Sequence, residues 1–168
     1  MLEAVEAKPV EVEKLSSVLL EIESEAAKAS RCDVQDIEFL KERIKTFQTR
    51  LFLFKLDGAL IGGSCISCWH FAGSSSKLSC MVSSFTIFKP FRRKGYGERS
   101  LCLLCNLLEK IPNCSEIFLG VHAKNKAAIA LYEKCGFKKK MHEFEEPSST
   151  FISMTRQCTS GSSSVIMQ

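Results

Sequence analysis

A short run of basic residues and glycines is the part of this sequence best suited to binding a charged ligand. It reads Arg92-Arg93-Lys94-Gly95-Tyr96-Gly97 and lies between a strand predicted over residues 78–88 and a helix predicted over 97–110. Glycines at such a turn leave backbone amides free to converge on one anion, and the positive end of the helix dipole adds to their attraction. The basic side chains add charge-assisted hydrogen bonds. We therefore predict a pyrophosphate-binding loop, with a solvated basic turn as the alternative.

This loop does not fit two common nucleotide-binding patterns. It lacks the Gly-Lys-Ser/Thr that holds Mg²⁺ and the γ-phosphate in a Walker loop. Ser100 stands where the third glycine of Gly-x-Gly-x-x-Gly belongs, so the dinucleotide pattern is also incomplete.

Asn125 and Tyr132 are a second pair of residues that could take part in ligand binding or catalysis. They are seven residues apart in a helix predicted over 125–135, so they share one helix face. Asn125 is a suitable N-cap for this helix, and Gly136 is a suitable C-terminal stop. Both side chains are therefore expected to point to the same side of this helix.

The elements around these residues predict an α/β (α+β) domain. Apolar residues at helical spacing predict a first helix over 11–29 with its acidic residues opposite, and Asp33 is expected to cap a second helix. Asp57-Gly58 predicts a tight turn between two strands. Further strands are predicted over residues 50–56, 59–68, 116–121, 137–144 and 150–157. This order predicts a mixed sheet with helices on both faces.

Length and charge restrict the possible functions. The 168 residues suffice for a single domain, which we assign to 1–157, followed by a Ser-rich tail over 158–168 that we expect to be disordered. The net charge is only +4, and the basic residues lie in local clusters. Binding to nucleic acid usually needs a broad basic face on the protein, so this pattern argues against a nucleic-acid partner. No apolar run approaches the roughly 20 residues that a membrane helix needs.

The cysteines are interpreted as reduced and structural. Nine is an odd count, and the first twelve residues carry three glutamates that a secretory signal would not contain. We therefore expect a cytoplasmic protein. Two Cys-x-x-Cys pairs, Cys65/Cys68 and Cys102/Cys105, fall in a predicted strand and a predicted helix instead of on tight turns, so we predict no metal site.

Taken together, the two motifs resemble those of the GNAT acetyltransferase superfamily. Arg92-x-x-Gly95-x-Gly97 is similar to its acetyl-CoA signature, Gln/Arg-x-x-Gly-x-Gly/Ala. The stretch 125–137 is similar to its second motif, Asn-x-x-Ala-x-x-x-Tyr-x-x-x-Gly-Phe. The resemblance covers about residues 51–140 and is strongest to protein N-terminal acetyltransferases of the bacterial ribosomal-protein and eukaryotic NatE types. It implies a mixed, mostly antiparallel, twisted sheet with helices on both faces.

The resemblance also implies a role for each motif residue toward acetyl-CoA, the acetyl donor. The backbone that would pair with the pantetheine arm belongs to Phe85, Thr86, Ile87 and Phe88. Arg92, by its place in the signature, would help to hold the pyrophosphate. The following residues would hold it through their amides: Arg93, Lys94, Gly95, Tyr96, Gly97 and Glu98. Asn125 would contact acetyl-CoA, and Tyr132 would lie near its sulfur. A tyrosine hydroxyl there could donate a proton to the leaving thiolate; the alternative is a core aromatic.

The proton acceptor is less clearly indicated. The family's Glu or His on the strand after the phosphate helix corresponds to Gly120, and the tyrosine of the NatE type corresponds to Met81. His122 lies two residues after Gly120, so its side chain points to the same face of the strand, and an imidazole can accept a proton at neutral pH. The alternatives are a water positioned by Ser83 or Ser84, or a histidine that only packs.

Three functions remain open at this stage. A protein α-amino group has a pKa of about 7.7–8.0, whereas that of lysine is about 10.4. The α-amine therefore loses its proton more easily and can react in a site with a weak base. For this reason a protein N-terminus is the favoured acceptor. The acidic stretch 143–146 favours a polyamine or another small amine. The substitutions at Met81 and Gly120 favour an acetyl-CoA-binding module without catalysis. An auxiliary subunit or a homo-oligomer is possible for any of them.

Overall fold

A seven-stranded sheet organises the chain. The computed structural model describes residues 1–30, 36–46, 48–70, 77–140 and 150–158. In chain order the strands are β1 Leu2–Glu6, β2 Arg50–Leu56, β3 Ala59–His70, β4 Leu78–Ile87, β5 Cys114–His122, β6 Lys138–Lys139 and β7 Phe151–Gln157. The helices are α1 Ser16–Ser30, α2 Ile37–Lys45, α3 Tyr96–Leu108 and α4 Lys126–Lys134.

The strands lie in the order β1-β2-β3-β4-β5-β7-β6, and every neighbouring pair is antiparallel except β4 with β5. The predicted turn at Asp57-Gly58 is confirmed, because both residues have positive φ, 48° and 83°, as a two-residue hairpin of this twist requires. The predicted mixed sheet is therefore confirmed.

The parallel pair β4–β5 stays together over only a few residues. Its register runs from Leu78 opposite Cys114 to Met81 opposite Phe118. β5 continues to pair with β7 as far as His122 opposite Phe151. After Met81, β4 is therefore paired with β3 alone among the described strands, and the two central strands separate.

Two hydrophobic cores cover the two faces of the sheet. In β2, Leu51 and Leu53 pack toward α1 and α2, while Phe52 and Phe54 pack toward α3 and α4, as the period-2 alternation of a strand requires. The buried aliphatic helix residues include Leu19 and Ile22 of α1, Leu40 and Ile44 of α2, and Leu101, Leu104 and Leu108 of α3. The prediction of helices on both faces is therefore confirmed.

The N-terminal third differs from the prediction. β1 was not predicted, and α1 begins at Ser16 after a 3₁₀ turn at Pro9–Glu11. The prediction that Asp33 caps the second helix is wrong, because Asp36 is its N-cap and accepts hydrogen bonds from the amides of Glu38 and Phe39 at 2.9 and 3.2 Å.

Several predictions concern residues outside the described part of the chain. They are Asp33 itself, nearly all of the loop at 71–77, the acidic stretch 143–146, the end of the 137–144 strand, and the tail from 159. Within the described residues, every helix is too short or too polar to cross a membrane. The same residues contain no group of three or more His, Cys, Asp or Glu side chains that could hold a metal ion.

The buried face of α3 provides a test of the two-core arrangement. Leu104 is fully buried, so Leu104→Ala should lower the free energy of unfolding by about 2–5 kcal/mol in urea denaturation. Leu107, on the same helix, is exposed, and Leu107→Ala should cost less than about 1 kcal/mol. Equal losses in the two variants would contradict the assignment of the buried face.

Candidate functional site

A cavity of about 460 Å³ opens where β4 and β5 separate. Its wall comes from α1, β4, the loop before α3, the start of α3, β5 and α4. The residues that line it are Ala26, Ala29, Val82, Ser83, Ser84, Phe85, Thr86, Ile87, Arg92, Arg93, Gly95, Gly97, Glu98, Gly120, Val121, Asn125, Ala127, Ala128, Leu131 and Tyr132. The separation of the strands leaves the β5-facing edge of β4 as one long side of this cavity.

Most of the site residues predicted from the sequence meet in this wall. Phe88, Lys94, Tyr96 and His122 do not line it. Phe88 is buried against the α1–α2 core; its amide donates to the Ile61 carbonyl at 2.8 Å and its carbonyl accepts from the Phe91 amide at 2.9 Å. The strand edge open toward the cavity therefore ends at Ile87.

The loop before α3 has the conformation of an anion-binding turn. Arg93 and Gly95 have positive φ, 62° and 79°, and α3 begins directly afterwards at Tyr96. Left-handed residues in such a turn orient successive amides toward the same side. The first-turn amides of α3 also have no partner within the helix. Backbone N–H groups are thus concentrated at one end of the cavity.

The two glycines of this loop have different roles. Gly95 has a positive φ, which favours glycine, whereas Gly97 lies within α3 and is not among the positive-φ glycines. A Cβ on Gly97 would lie 3.5 Å from Cδ2 of Leu131 and 3.9 Å from Cγ1 of Ile87, which is ordinary contact. The backbone does not require glycine at position 97. What glycine provides there is an unobstructed cavity wall.

The basic side chains of this loop have different partners. The Arg92 guanidinium donates from Nε to the Ile87 carbonyl and from Nη2 to the Glu25 carboxylate, both at 2.6 Å. Lys94 Nζ donates to the Pro90 carbonyl at 2.9 Å. Arg92 therefore ties the loop to β4 and α1, and Arg93 is the exposed basic residue left facing the cavity.

The helix α4 presents Asn125 and Tyr132 to the cavity, as their spacing predicted. Asn125 is confirmed as the N-cap: its side-chain oxygen accepts from the Ala128 amide at 3.2 Å, while its Nδ2 donates to the Ala29 carbonyl of α1 at 3.4 Å. Tyr132 is 9% exposed, and burial, with a smaller contribution from the Cys135 thiol, raises its pKa to about 12. Its hydroxyl is therefore protonated at neutral pH and can donate a hydrogen bond or a proton, and burial makes it a weaker acid than a free tyrosine.

His122 lies beside the cavity, next to Val121. Its ring is buried and packs edge-on against Phe151, with 5.5 Å between ring centroids. Nδ1 accepts from the Lys124 amide at 3.1 Å, so the neutral ring carries its proton on Nε2. A Cβ on Gly120 would meet no atom within 4 Å, so open space lies above this position of β5.

One buried acidic residue was missed in the sequence. The prediction that the acidic residues of the first helix lie opposite its apolar face is wrong for Glu23, which is 3% exposed. Position 23 is four after Leu19 and three before Ala26, so it lies on the apolar face. That spacing was the available signal.

Comparison with known proteins shows the family of this chain. Residues 17–137 match the model of the family described as Acetyltransferase (GNAT) family. An N-alpha-acetyltransferase from Sulfurisphaera tokodaii is 27% identical over 106 residues, which is 60% of this chain and 64% of that protein. The match therefore spans less than two thirds of that relative.

Two solved structures illustrate the fold. The ribosomal-protein-S18-alanine N-acetyltransferase from Escherichia coli has a TM-score of 0.66 and 17% identity, covering 99% of this chain and 100% of that one. The spermidine N-acetyltransferase from Vibrio cholerae, solved in complex with CoA and spermine, has a TM-score of 0.67 and 18% identity, covering 95% and 96%. At these identities the likeness is one of fold.

The cavity wall at α3 yields a direct test of ligand binding. Gly97→Val should place a branched side chain at the wall and abolish acetyl-CoA binding in calorimetry, while circular dichroism shows an intact fold. Asn106→Val puts the same residue at an exposed position of α3 outside the cavity and should bind normally. Normal binding by Gly97→Val would contradict the location of the site.

Proposed function

Because the chain belongs to the Acetyltransferase (GNAT) family, we propose that it transfers an acetyl group from acetyl-CoA to a primary amine. The observation that carries this proposal is the cavity at the separation of β4 and β5, which has an anion-binding loop at one end and a buried tyrosine in its wall. This combination supplies a site for a diphosphate, a strand edge for an extended arm, and a proton donor.

The residues present fit acetyl-CoA part by part. The amides of residues 93–98 and the Arg93 side chain suit the pyrophosphate. The edge of β4 from Val82 to Ile87 suits the amide groups of the pantetheine arm, because its β5-facing backbone groups have no strand partner among the described residues. Asn125 is in the wall beside α1. When bound, acetyl-CoA supplies an activated acetyl group as a thioester.

Transfer by direct attack balances without an acyl-enzyme. A C–N bond forms between the neutral amine and the acetyl carbon, and the C–S bond breaks. The nitrogen loses one proton to an acceptor in the protein, and the sulfur leaves as a thiolate that takes a proton from Tyr132. Tyr132 is then reprotonated from solvent. For the acceptor of the nitrogen's proton, His122 stays the prediction made from the sequence.

We favour the α-amino terminus of a protein or peptide as the acceptor. The archaeal relative is named an N-alpha-acetyltransferase, and the low pKa of an α-amine relative to lysine makes its neutral form accessible without a strong base. The structural neighbour that acts on spermidine supports a second candidate, a small polyamine. The third candidate, an acetyl-CoA-binding module without turnover, follows from Met81 and Gly120.

One assay distinguishes these three candidate functions. Release of free CoA thiol is measured with peptides of varied first residue, with spermidine and spermine, and without acceptor. We expect turnover of peptides with a free α-amine and none of the same peptides after N-terminal blocking. Turnover of polyamines alone would select the second candidate. Calorimetric binding of acetyl-CoA with no turnover would select the third.

Tyr132 can be tested apart from ligand binding. Tyr132→Phe keeps the ring and removes the hydroxyl, so acetyl-CoA affinity should stay within about threefold while kcat falls by about 10²-fold, the lower range for loss of a general acid. Because burial raises the pKa of Tyr132 to about 12, the wild-type kcat should show no loss from its ionisation below about pH 10. An unchanged kcat in Tyr132→Phe would exclude the hydroxyl as proton donor.

A further inference from the structure

Two cysteine thiols that the mechanism above does not use lie in contact behind the cavity. Cys102 is in α3 and Cys135 is the C-cap of α4, and their sulfur atoms are 3.8 Å apart. Both are free thiols; Cys102 is half-buried, and Cys135 is 5% exposed. The sulfurs of a disulfide are about 2.05 Å apart, so an approach of about 1.8 Å would join this pair.

The backbone connects this thiol pair to the cavity wall. The Cys135 amide donates hydrogen bonds to the carbonyls of Leu131 and Tyr132, at 3.1 and 3.0 Å. Both of these residues line the cavity. On α3, Gly97 lines the same wall and lies five residues before Cys102. A movement of one cysteine toward the other therefore changes the wall that the two helices form.

The two helices lie close to each other at this wall. A Cβ on Gly97 would lie 3.5 Å from Cδ2 of Leu131. The Lys134 ammonium binds the Glu98 carboxylate at 2.5 Å, and the Cys135 sulfur lies 4.0 Å from the Glu98 carbonyl oxygen. Close-packed groups transmit small displacements, because there is no void to absorb them. A covalent bond between the sulfurs would therefore draw α3 toward α4 and narrow the cavity beside Leu131.

Cys102 is the member of the pair that a small oxidant reaches first. Its side chain is partly exposed, whereas burial raises the pKa of the Cys135 thiol. Thiolates are the nucleophiles in thiol–disulfide exchange, so the partly exposed cysteine reacts with the oxidant and the buried one resolves the product. The second step is intramolecular, so the short distance between the sulfurs offsets the low thiolate fraction of Cys135.

We propose that Cys102 and Cys135 form a reversible oxidation site, whose disulfide weakens acetyl-CoA binding. The oxidant is a low-molecular-weight disulfide. The Cys102 thiol loses its proton to solvent and attacks one sulfur of the oxidant, whose S–S bond breaks; one small thiolate leaves and takes a proton from solvent. Cys135 then loses its proton to solvent and attacks the Cys102 sulfur, which releases the second small thiol in the same way. The two cysteines are oxidised, and the small disulfide is reduced to two thiols. The effect on acetyl-CoA rests on the proposed function of the cavity, whereas disulfide formation does not.

Mass spectrometry of the full chain tests whether the disulfide forms. The protein is incubated with oxidised glutathione, its free thiols are blocked with N-ethylmaleimide, and it is digested without reduction. We expect a peptide that contains Cys102 linked to one that contains Cys135, and loss of the link after dithiothreitol. In Cys135→Ala, Cys102 should instead remain in a mixed disulfide with glutathione, because the resolving thiol is absent.

Calorimetry measures the effect on the cavity. The affinity of the wild type for acetyl-CoA should fall by about tenfold on oxidation, a usual size for coupling between two sites, and should return after dithiothreitol. Cys102→Ser lacks the disulfide and should bind equally before and after the oxidant. Cys158→Ala is the matched control. It disrupts another thiol pair, Cys114 and Cys158, whose sulfurs are 3.4 Å apart at the start of β5 and just after β7, and it should lose affinity as the wild type does.

The results that would overturn the inference differ from those that concern the proposed function. An oxidised wild type without the Cys102–Cys135 link would exclude the site. A linked protein with unchanged acetyl-CoA affinity would exclude its effect on the cavity. A loss of affinity that persists in Cys102→Ser and is absent in Cys158→Ala would assign the effect to Cys114 and Cys158. A reduced protein that binds no acetyl-CoA would contradict the proposed function, and the linked peptide would still decide whether the oxidation site exists.

Discussion

The separation of β4 from β5 after the Met81–Phe118 pair is the constraint on which the rest of the structure depends. A parallel pair in the middle of a sheet normally continues its hydrogen-bond ladder, since unpaired backbone groups in an interior are costly. Here the ladder stops, and the β5-facing groups of Val82 to Ile87 border a cavity. A ligand with its own amide groups can complete the interrupted ladder, so the same defect that costs stability provides the proposed binding site.

Close packing on the other side of β4 holds this opening in place. A Cβ on Gly62 would lie 2.1 Å from the Thr86 carbonyl oxygen, and one on Gly63 would lie 2.4 Å from Cδ1 of Ile22. These two glycines let β3 approach both β4 and α1 more closely than other residues would allow. The bulge that includes Ser84 lies beside them. The strand edge is thus fixed by contacts on its far side, and the side facing β5 is left open.

A feature of the fold could be predicted from the sequence when it depends only on residues that are close together in the chain. The Asp57-Gly58 turn and the Asn125 cap depend on a few neighbouring residues, and both were predicted from the sequence. The carboxylate partner of Arg92 is 67 positions away, and the thiol that donates to Glu23 is 42 positions away, so no local spacing indicates them. β1 was missed for the same reason, since its pairing with β2 joins residues about fifty positions apart. Residue types predicted most of the residues that meet in the cavity wall, whereas the pairing of the charges around it required the fold.

The chemistry of the cavity then depends on one physical cause with two consequences. Tyr132 belongs to the core under α4 and lines the cavity. Burial raises the pKa of its hydroxyl to about 12, which keeps the hydroxyl protonated at neutral pH. The same rise makes the hydroxyl a weaker acid. In the proposed function, the leaving thiolate would lie in the same desolvated site, where burial raises the affinity of an anion for a proton as well. Desolvation thus acts in the same direction on the proposed donor and on the proposed leaving group.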